Sequence, residues 1–257
     1  MSAGAPIVAV LGLGEAGGAI AADLATTGAD VRGWDPVARP PARVRAARDT
    51  GDAVRGAGLV LALCTAEHAL EAARAAAPHL APGAVYADLN TASPELKVAV
   101  AEVVAGGGAR AADVALMAPV PGRGVRTPAL AAGAGAERFA ATMGPLGMPV
   151  ELLDDAAPGA AATRKLLRSV VVKGVAAAVG EALAAARGAG LEDWMREEVV
   201  RFTSGVDLDR VVAGTRRHAT RRAAEMDAAA ALVDGLGVPP TMSQATARWH
   251  HQRSSET

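Results

Sequence analysis

Ile7-Val8-Ala9-Val10-Leu11-Gly12-Leu13-Gly14-Glu15-Ala16-Gly17 is the stretch that decides the fold. Five apolar residues read as a buried strand, and they run straight into G-x-G-x-x-G at the start of an alanine-rich helical stretch. In such a turn the first glycine permits the sharp bend and the second lets the backbone approach a pyrophosphate. The third lets helix and strand pack closely. The helix start then offers free N–H groups and a partial positive charge to the phosphates. Gly12, Leu13, Gly14, Glu15, Ala16 and Gly17 are therefore candidate cofactor contacts. The next apolar run ends in Gly33-Trp34-Asp35, and Asp35 stands where a carboxylate can accept from the hydroxyls of an adenosine ribose. A carboxylate there repels a 2′-phosphate, which favours NAD. Arg39 and Arg43 follow closely, as solvated arginines or as clamps for that phosphate, so NADP stays open.

The alternation continues through the first half of the chain. Strands are expected at Asp30–Trp34, Gly58–Cys64, Ala84–Leu89, Ala109–Leu116, Ala129–Ala132 and Val150–Leu153. Helices are expected at Ala16–Thr27, Arg39–Arg48, Ala66–Ala77 and Pro94–Ala105, and near Glu137–Met143. Strands alternating with helices of this length imply a doubly wound parallel sheet with right-handed crossovers. Ligands of such sheets bind outside the carboxyl ends of the strands. Cys64, Thr65 and Asn90 fall there: Asn90 as a polar contact for ribose or nicotinamide, Cys64 as a small packed residue rather than a nucleophile.

From Pro158 the pattern is helical. A stretch of about 30 residues runs to Ala189, and helices follow at Glu192–Thr203, Asp207–Arg217, Ala219–Gly235 and Met242–His251. The expected architecture is a Rossmann domain at residues 1–156 and an all-helical substrate and dimerisation domain at residues 157–257.

Composition narrows the function classes. The formal net charge is −1 and aromatics are 2%, against a nucleic-acid partner, which calls for a basic face and stacking rings. The longest apolar stretch, Ser169–Ala186, contains Lys173 and Glu181 and is unsuited to a membrane span. One cysteine and a start without a charged leader fit a reducing, cytoplasmic setting. No HExxH, CxxC or G-x-S-x-G pattern occurs, so no metal site is expected. Alanine makes up about a quarter of the chain, far above average usage.

Of 26 Lys and Arg residues only Lys97, Lys165 and Lys173 are lysines. Lysine can give and take a proton and arginine cannot, so the exceptions draw notice. Lys165, Ser169 and Lys173 are spaced i, i+4, i+8 on the long helix, a polar stripe among Leu, Val and Ala. A carbonyl that accepts a hydride needs a proton, and a lysine beside the nicotinamide can supply it. Lys165 is the candidate general acid–base. Lys173 is either a second polar contact or a structural partner of Glu181.

With these features the chain resembles the β-hydroxyacid dehydrogenase superfamily, which includes 6-phosphogluconate and 3-hydroxyisobutyrate dehydrogenases and imine reductases. The resemblance is carried by Ile7–Ile20 and by Gly159–Ser169. It implies that Lys165 is the catalytic lysine and that Ser169 stands where the family has asparagine. It implies that Asp113–Gly124, with Pro121 and Gly122, is a loose counterpart of the substrate loop. It also implies a homodimer through the helical domain. The implied activity is NAD(P)-dependent hydride transfer with a small hydroxyacid, carbonyl or imine. Ser169 and the altered loop keep a non-catalytic dinucleotide sensor as the alternative.

Arg216, Arg217, His218, Arg221, Arg222 and Glu225 crowd one stretch near the end. His218, Arg221, Arg222 and Glu225 share helical spacing, either as a salt-bridged face or as a wall that holds a substrate anion. His218 and Arg222 join the candidate substrate contacts on the second reading.

Overall fold

A computed structural model describes residues 6–154, 157–188, 190–203, 207–235 and 240–254. The chain divides into two compact units, Met1–Lys165 and Leu166–Thr257. The expected boundary between residues 156 and 157 falls beside residues 155 and 156, which lie outside the described residues.

The first unit is an eight-stranded sheet. Its strands are β1 (Ile7–Leu11), β2 (Asp30–Trp34), β3 (Arg45–Ala46), β4 (Leu59–Ala62), β5 (Val85–Asp88), β6 (Arg110–Leu116), β7 (Ala129–Ala132) and β8 (Val150–Leu152), in the order β3-β2-β1-β4-β5-β6-β7-β8. The helices are α1 (Glu15–Leu24), α2 (Thr50–Val54), α3 (Ala69–Ala76), α4 (Pro94–Gly106) and α5 (Ala136–Met143). Strand residues alternate between two cores, as a period of two requires. Val8 and Val10 of β1 face one core with Ile20 and Leu24 of α1 and Phe139 and Met143 of α5. Ala9 and Leu11 face the other, with Val54 of α2, Ala73 of α3 and Val100 and Val104 of α4. Both faces are covered, which is the doubly wound Rossmann arrangement.

Two expectations need correction. No helix forms at Arg39–Arg48. Pro40-Pro41 lacks two backbone donors and disfavours helical backbone just before it. Arg43 takes a left-handed φ of 68°, and Arg45–Ala46 pairs as β3 with Arg32–Gly33 instead. The sheet is also not parallel throughout: β7 runs antiparallel to β6, and β8 is parallel to β7. The segment from Met117 to Pro128 contains only a short 3-10 turn, Gly124–Arg126, so no helical crossover returns the chain to make β7 parallel to β6.

The long helix α6 (Ala160–Gly188) has 29 residues, about 44 Å at 1.5 Å each, and the division between units falls inside it. The second unit continues with α7 (Glu192–Thr203), α8 (Leu208–Arg217), α9 (Ala219–Gly235) and α10 (Thr241–Ser254). Met226 and Ala229 of α9 bury against Ala247 of α10, with Val170 of α6 packed on them. Val179 and Leu183 of α6 pack with Met195 and Val199 of α7 and Val212 of α8. No described helix is long and apolar enough to cross a membrane.

Arg43 is exposed and left-handed, a conformation that costs a residue with a side chain about 1–2 kcal/mol. Arg43→Gly should therefore stabilise the first unit by about 0.5–1 kcal/mol, after allowance for the greater freedom of glycine in the unfolded chain. Urea unfolding at equilibrium measures this.

Candidate functional site

The glycine turn sits at the carboxyl end of β1. Gly12 has φ +90°, and a Cβ there would strike the backbone of Leu63 and Cys64 at the end of β4. Gly17 has no room either, because a Cβ would overlap the Gly12 carbonyl. At Gly14, the N-cap of α1, nothing lies within 4 Å of the added atom. The turn is thus closed where strand and helix meet and open where a phosphate would approach. Glu15 and Ala16 begin the first turn of α1, whose N–H groups have no helical acceptors.

Asp35 ties the second strand to this turn. Its Oδ2 accepts from the Leu13 N–H at 2.7 Å, and its Oδ1 accepts from Val37 and Ala38, each at 2.8 Å. The Leu13 side chain is buried beneath Gly33 and Val44. Burial acts to raise the Asp35 carboxyl, but the N–H bonds from Ala38, Leu13 and Val37 outweigh it and hold the group below its ordinary 3.8. A carboxylate has about four acceptor positions, so roughly one is left for a ribose hydroxyl.

Beyond β4 and β5 the expected polar residues come together. The Asn90 amide donates to Asp88 Oδ1 at 2.7 Å and to Cys64 Sγ at 3.4 Å. Asn90 Oδ1 is buried without a hydrogen-bond partner among the described residues. Burial pushes the Cys64 thiol up, with the Asn90 amide opposing, so the sulfur stays protonated at neutral pH. Thr65 is exposed and its hydroxyl meets His68 Nδ1 at 2.8 Å. Lys165, half-buried in the second turn of α6, donates from Nζ to Thr91 Oγ1 at 2.7 Å. Lys165 and Asn90 therefore belong to one site at the carboxyl end of β5.

Beneath them lies a buried ionic cluster that the motif reading passed over. Lys97 Nζ donates to the Asp88 carbonyl at 2.7 Å, and lies 3.2 Å from Asp88 Oδ2 and 3.5 Å from Asp113 Oδ1. All three side chains are at most 4% exposed. Asp113 Oδ2 accepts from the N–H groups of Gly159, Ala161 and Ala162 at 2.9, 3.0 and 3.1 Å. The available signal was two aspartates inside apolar strands, since buried charges require partners.

Pro121 and Gly122 lie exposed in the loop after β6. In the helical unit, Ser169 is buried, and its Oγ accepts from Lys173 Nζ at 3.1 Å. Lys173 pairs with Glu225 Oε2 at 2.5 Å, and the Glu181 side chain lies outside the described residues. Arg221 reaches Glu225 Oε1 at 3.6 Å, while Arg222 turns to Thr215 Oγ1 at 2.6 Å. His218 stands at the non-helical cap between α8 and α9, half-buried. Among the described residues, no group of three or more His, Cys, Asp or Glu is placed to hold a metal.

The turn and the β-sheet order define a dinucleotide-binding Rossmann unit, which the chain follows with a helical unit. The NAD binding domain of 6-phosphogluconate dehydrogenase matches residues 7–141, and a domain of unknown function matches residues 186–252. A conserved hypothetical protein from Sinorhizobium meliloti 1021 is 32% identical, with a TM-score of 0.74 over 97% of this chain and 88% of that one. At the level of fold alone, the chain is similar to 3-hydroxyisobutyrate dehydrogenase from Salmonella typhimurium (17% identity, TM-score 0.83, 98% and 95% covered). It is likewise similar to an imine reductase from Streptomyces aurantiacus (22% identity, TM-score 0.62, 96% and 93% covered). No curated protein sequence matches the chain. The chain belongs to the β-hydroxyacid dehydrogenase superfamily, with an NAD-binding domain of the 6-phosphogluconate dehydrogenase type.

The helical unit carries its own titration. His250 of α10 is fully buried, and neither ring nitrogen has a hydrogen-bond partner among the described residues. Burial, and next the charges of Arg222 and Lys173, lower its pKa from 6.5 to about 4, with Glu225 opposing. The unfolded chain takes up this proton near 6.5 and the folded chain only near 4. Stability is thus complete above pH 6.5 and falls as the pH drops from 6.5 toward 4, by up to about 3 kcal/mol. Denaturant unfolding across that range should show the loss, and His250→Leu should remove this part of the slope.

Proposed function

We propose that the protein moves a hydride between a nicotinamide dinucleotide and a small carbonyl, hydroxyacid or imine, with Lys165 as general acid–base. The observation behind this reading is the hydrogen bond from Lys165 Nζ to Thr91 Oγ1, one residue from Asn90 and its unpartnered buried oxygen. When bound, the nicotinamide supplies the hydride donor or acceptor. The Gly12–Gly17 turn would hold the pyrophosphate, Asp35 the adenosine ribose, and Asn90 a ribose hydroxyl or the carboxamide. In reduction, Lys165 delivers a proton from Nζ to the carbonyl oxygen or imine nitrogen as negative charge develops there. In oxidation, it removes the alcohol or amine proton. Thr91 Oγ1 holds the ammonium in place between turnovers.

The ionised Asp35 favours NAD over NADP, because its charge opposes a 2′-phosphate. Fluorescence titration should give at least tenfold tighter binding of NADH than of NADPH. Lys165→Met should lower turnover at least 100-fold in a panel of small carbonyls and imines, with the NADH Kd within a factor of two. A wild-type protein that binds NADH but turns over nothing in the panel would support the sensor instead.

A homodimer through the helical unit is part of the reading. Leu167, Val171 and Val175 are spaced i, i+4, i+8 on α6 and are 42%, 65% and 42% exposed. A contiguous apolar stripe of this kind marks an interaction face. Light scattering should report a dimer for the wild-type chain and a shift toward monomer for Val171→Glu.

A further inference from the structure

We infer that Lys97 is a positioning residue that couples the two arms of the candidate site: Asn90, on the cofactor side, and Lys165, on the proton-transfer side. The inference rests on the roles just proposed for those two residues. Its basis is a chain of contacts within the first unit, none of which the catalytic motifs specify.

Asp88 and Asp113 are register partners on the adjacent parallel strands β5 and β6. Two carboxylates side by side in a core, 4% and 1% exposed, repel each other unless a cation lies with them. Lys97, 1% exposed, is that cation. Each carboxylate turns one oxygen toward Lys97 and uses the other to hold a different part of the site. Asp88 Oδ1 accepts from both the backbone N–H of Asn90, at 3.0 Å, and its side-chain amide, at 2.7 Å. That pair of hydrogen bonds fixes the Asn90 rotamer, so that its Oδ1 stays clear for a ligand. Asp113 Oδ2 takes the three N–H groups of Gly159, Ala161 and Ala162 and so caps the first turn of α6. Lys165 lies only one further turn along that helix, so the cap sets the position from which Nζ reaches Thr91.

Helix α4 braces the same place a second time. Gly159 has φ +97°, and a Cβ on it would lie 3.0 Å from the Pro94 carbonyl. Pro94 opens α4, capped by Ser93, and Lys97 follows within its first turn. One turn of α4 therefore sets the start of α6 by contact through Pro94 and by charge through Lys97.

The test uses the fact that the chain has only three lysines. In the intact protein without cofactor, amines are acetylated under limiting reagent. Mass spectrometry then follows Lys165 relative to Lys173, which lies in the other unit and serves as an internal reference. Lys97→Met should raise the Lys165-to-Lys173 labelling ratio at least fivefold, and should weaken NADH binding severalfold. General loosening of the fold would accelerate both lysines and leave the ratio unchanged, as would a Lys97 that only fills space, and that result overturns the inference. Should Lys97→Met fail to fold, the isosteric variants Asp113→Asn and Asp88→Asn separate the arms. Asp113→Asn should raise the labelling ratio with the NADH Kd within twofold. Asp88→Asn should do the reverse. Equal responses in both variants, or none, also overturn it. Retained turnover in Lys165→Met would defeat the catalytic reading of that lysine and leave the labelling result intact, so the two failures are distinguishable.

Discussion

The carboxylate of Asp113 accepts three backbone N–H groups at the start of a helix, and the rest of the site is arranged around that contact. A helix start carries unsatisfied donors and a partial positive charge, so one buried anion can anchor it. Here the anchored helix is α6, which brings Lys165 to the carboxyl end of β5. The anion has a cost, since it lies beside Asp88 on the neighbouring strand. Lys97 lies against both and offsets one of the two charges. Removing one partner from such a buried set costs about 3–5 kcal/mol, because it leaves a charge without compensation. The cluster is therefore a constraint on the fold as much as a source of stability.

The three lysines of this arginine-rich chain share a property. Each has its ammonium drawn into a specific contact inside the fold: Lys97 between two carboxylates, Lys165 on Thr91, Lys173 between Ser169 and Glu225. A compact ammonium on a flexible stem fits such places better than a planar guanidinium, which needs room for a fork of five donors. The arginines, by contrast, mostly line the exposed faces, as Arg187 does with Glu192 and Arg201 with Glu197.

Small residues explain how the cofactor turn can be both closed and open. Gly12 and Gly17 leave no space for a Cβ because β1, β4 and α1 meet there, while Gly14 faces open space. The alanines work on the same principle in the two sheet cores and between α9 and α10, where short side chains let backbones approach. The glycine turn and the contact of Lys165 with Thr91 both lie at the carboxyl ends of the central strands.

The short apolar runs of β1, β4, β5 and β6, the glycine turn and the helical second half were legible in the amino-acid sequence, because each depends on neighbours along the chain. So was the singling out of Lys165, from its residue type and its place on an apolar helix. The failed helix at Arg39–Arg48 shows the limit of that reading: an apparent helical run was overruled by Pro40-Pro41 and by a sheet edge open to β3. Tertiary structure alone decided the reversed direction of β7, the pairing of Lys173 with Glu225, and the meeting of Asp88, Lys97 and Asp113. Those three residues are separated in sequence and belong to different elements, and a charge network of this kind exists only once the strands have set their register and α4 has packed across them.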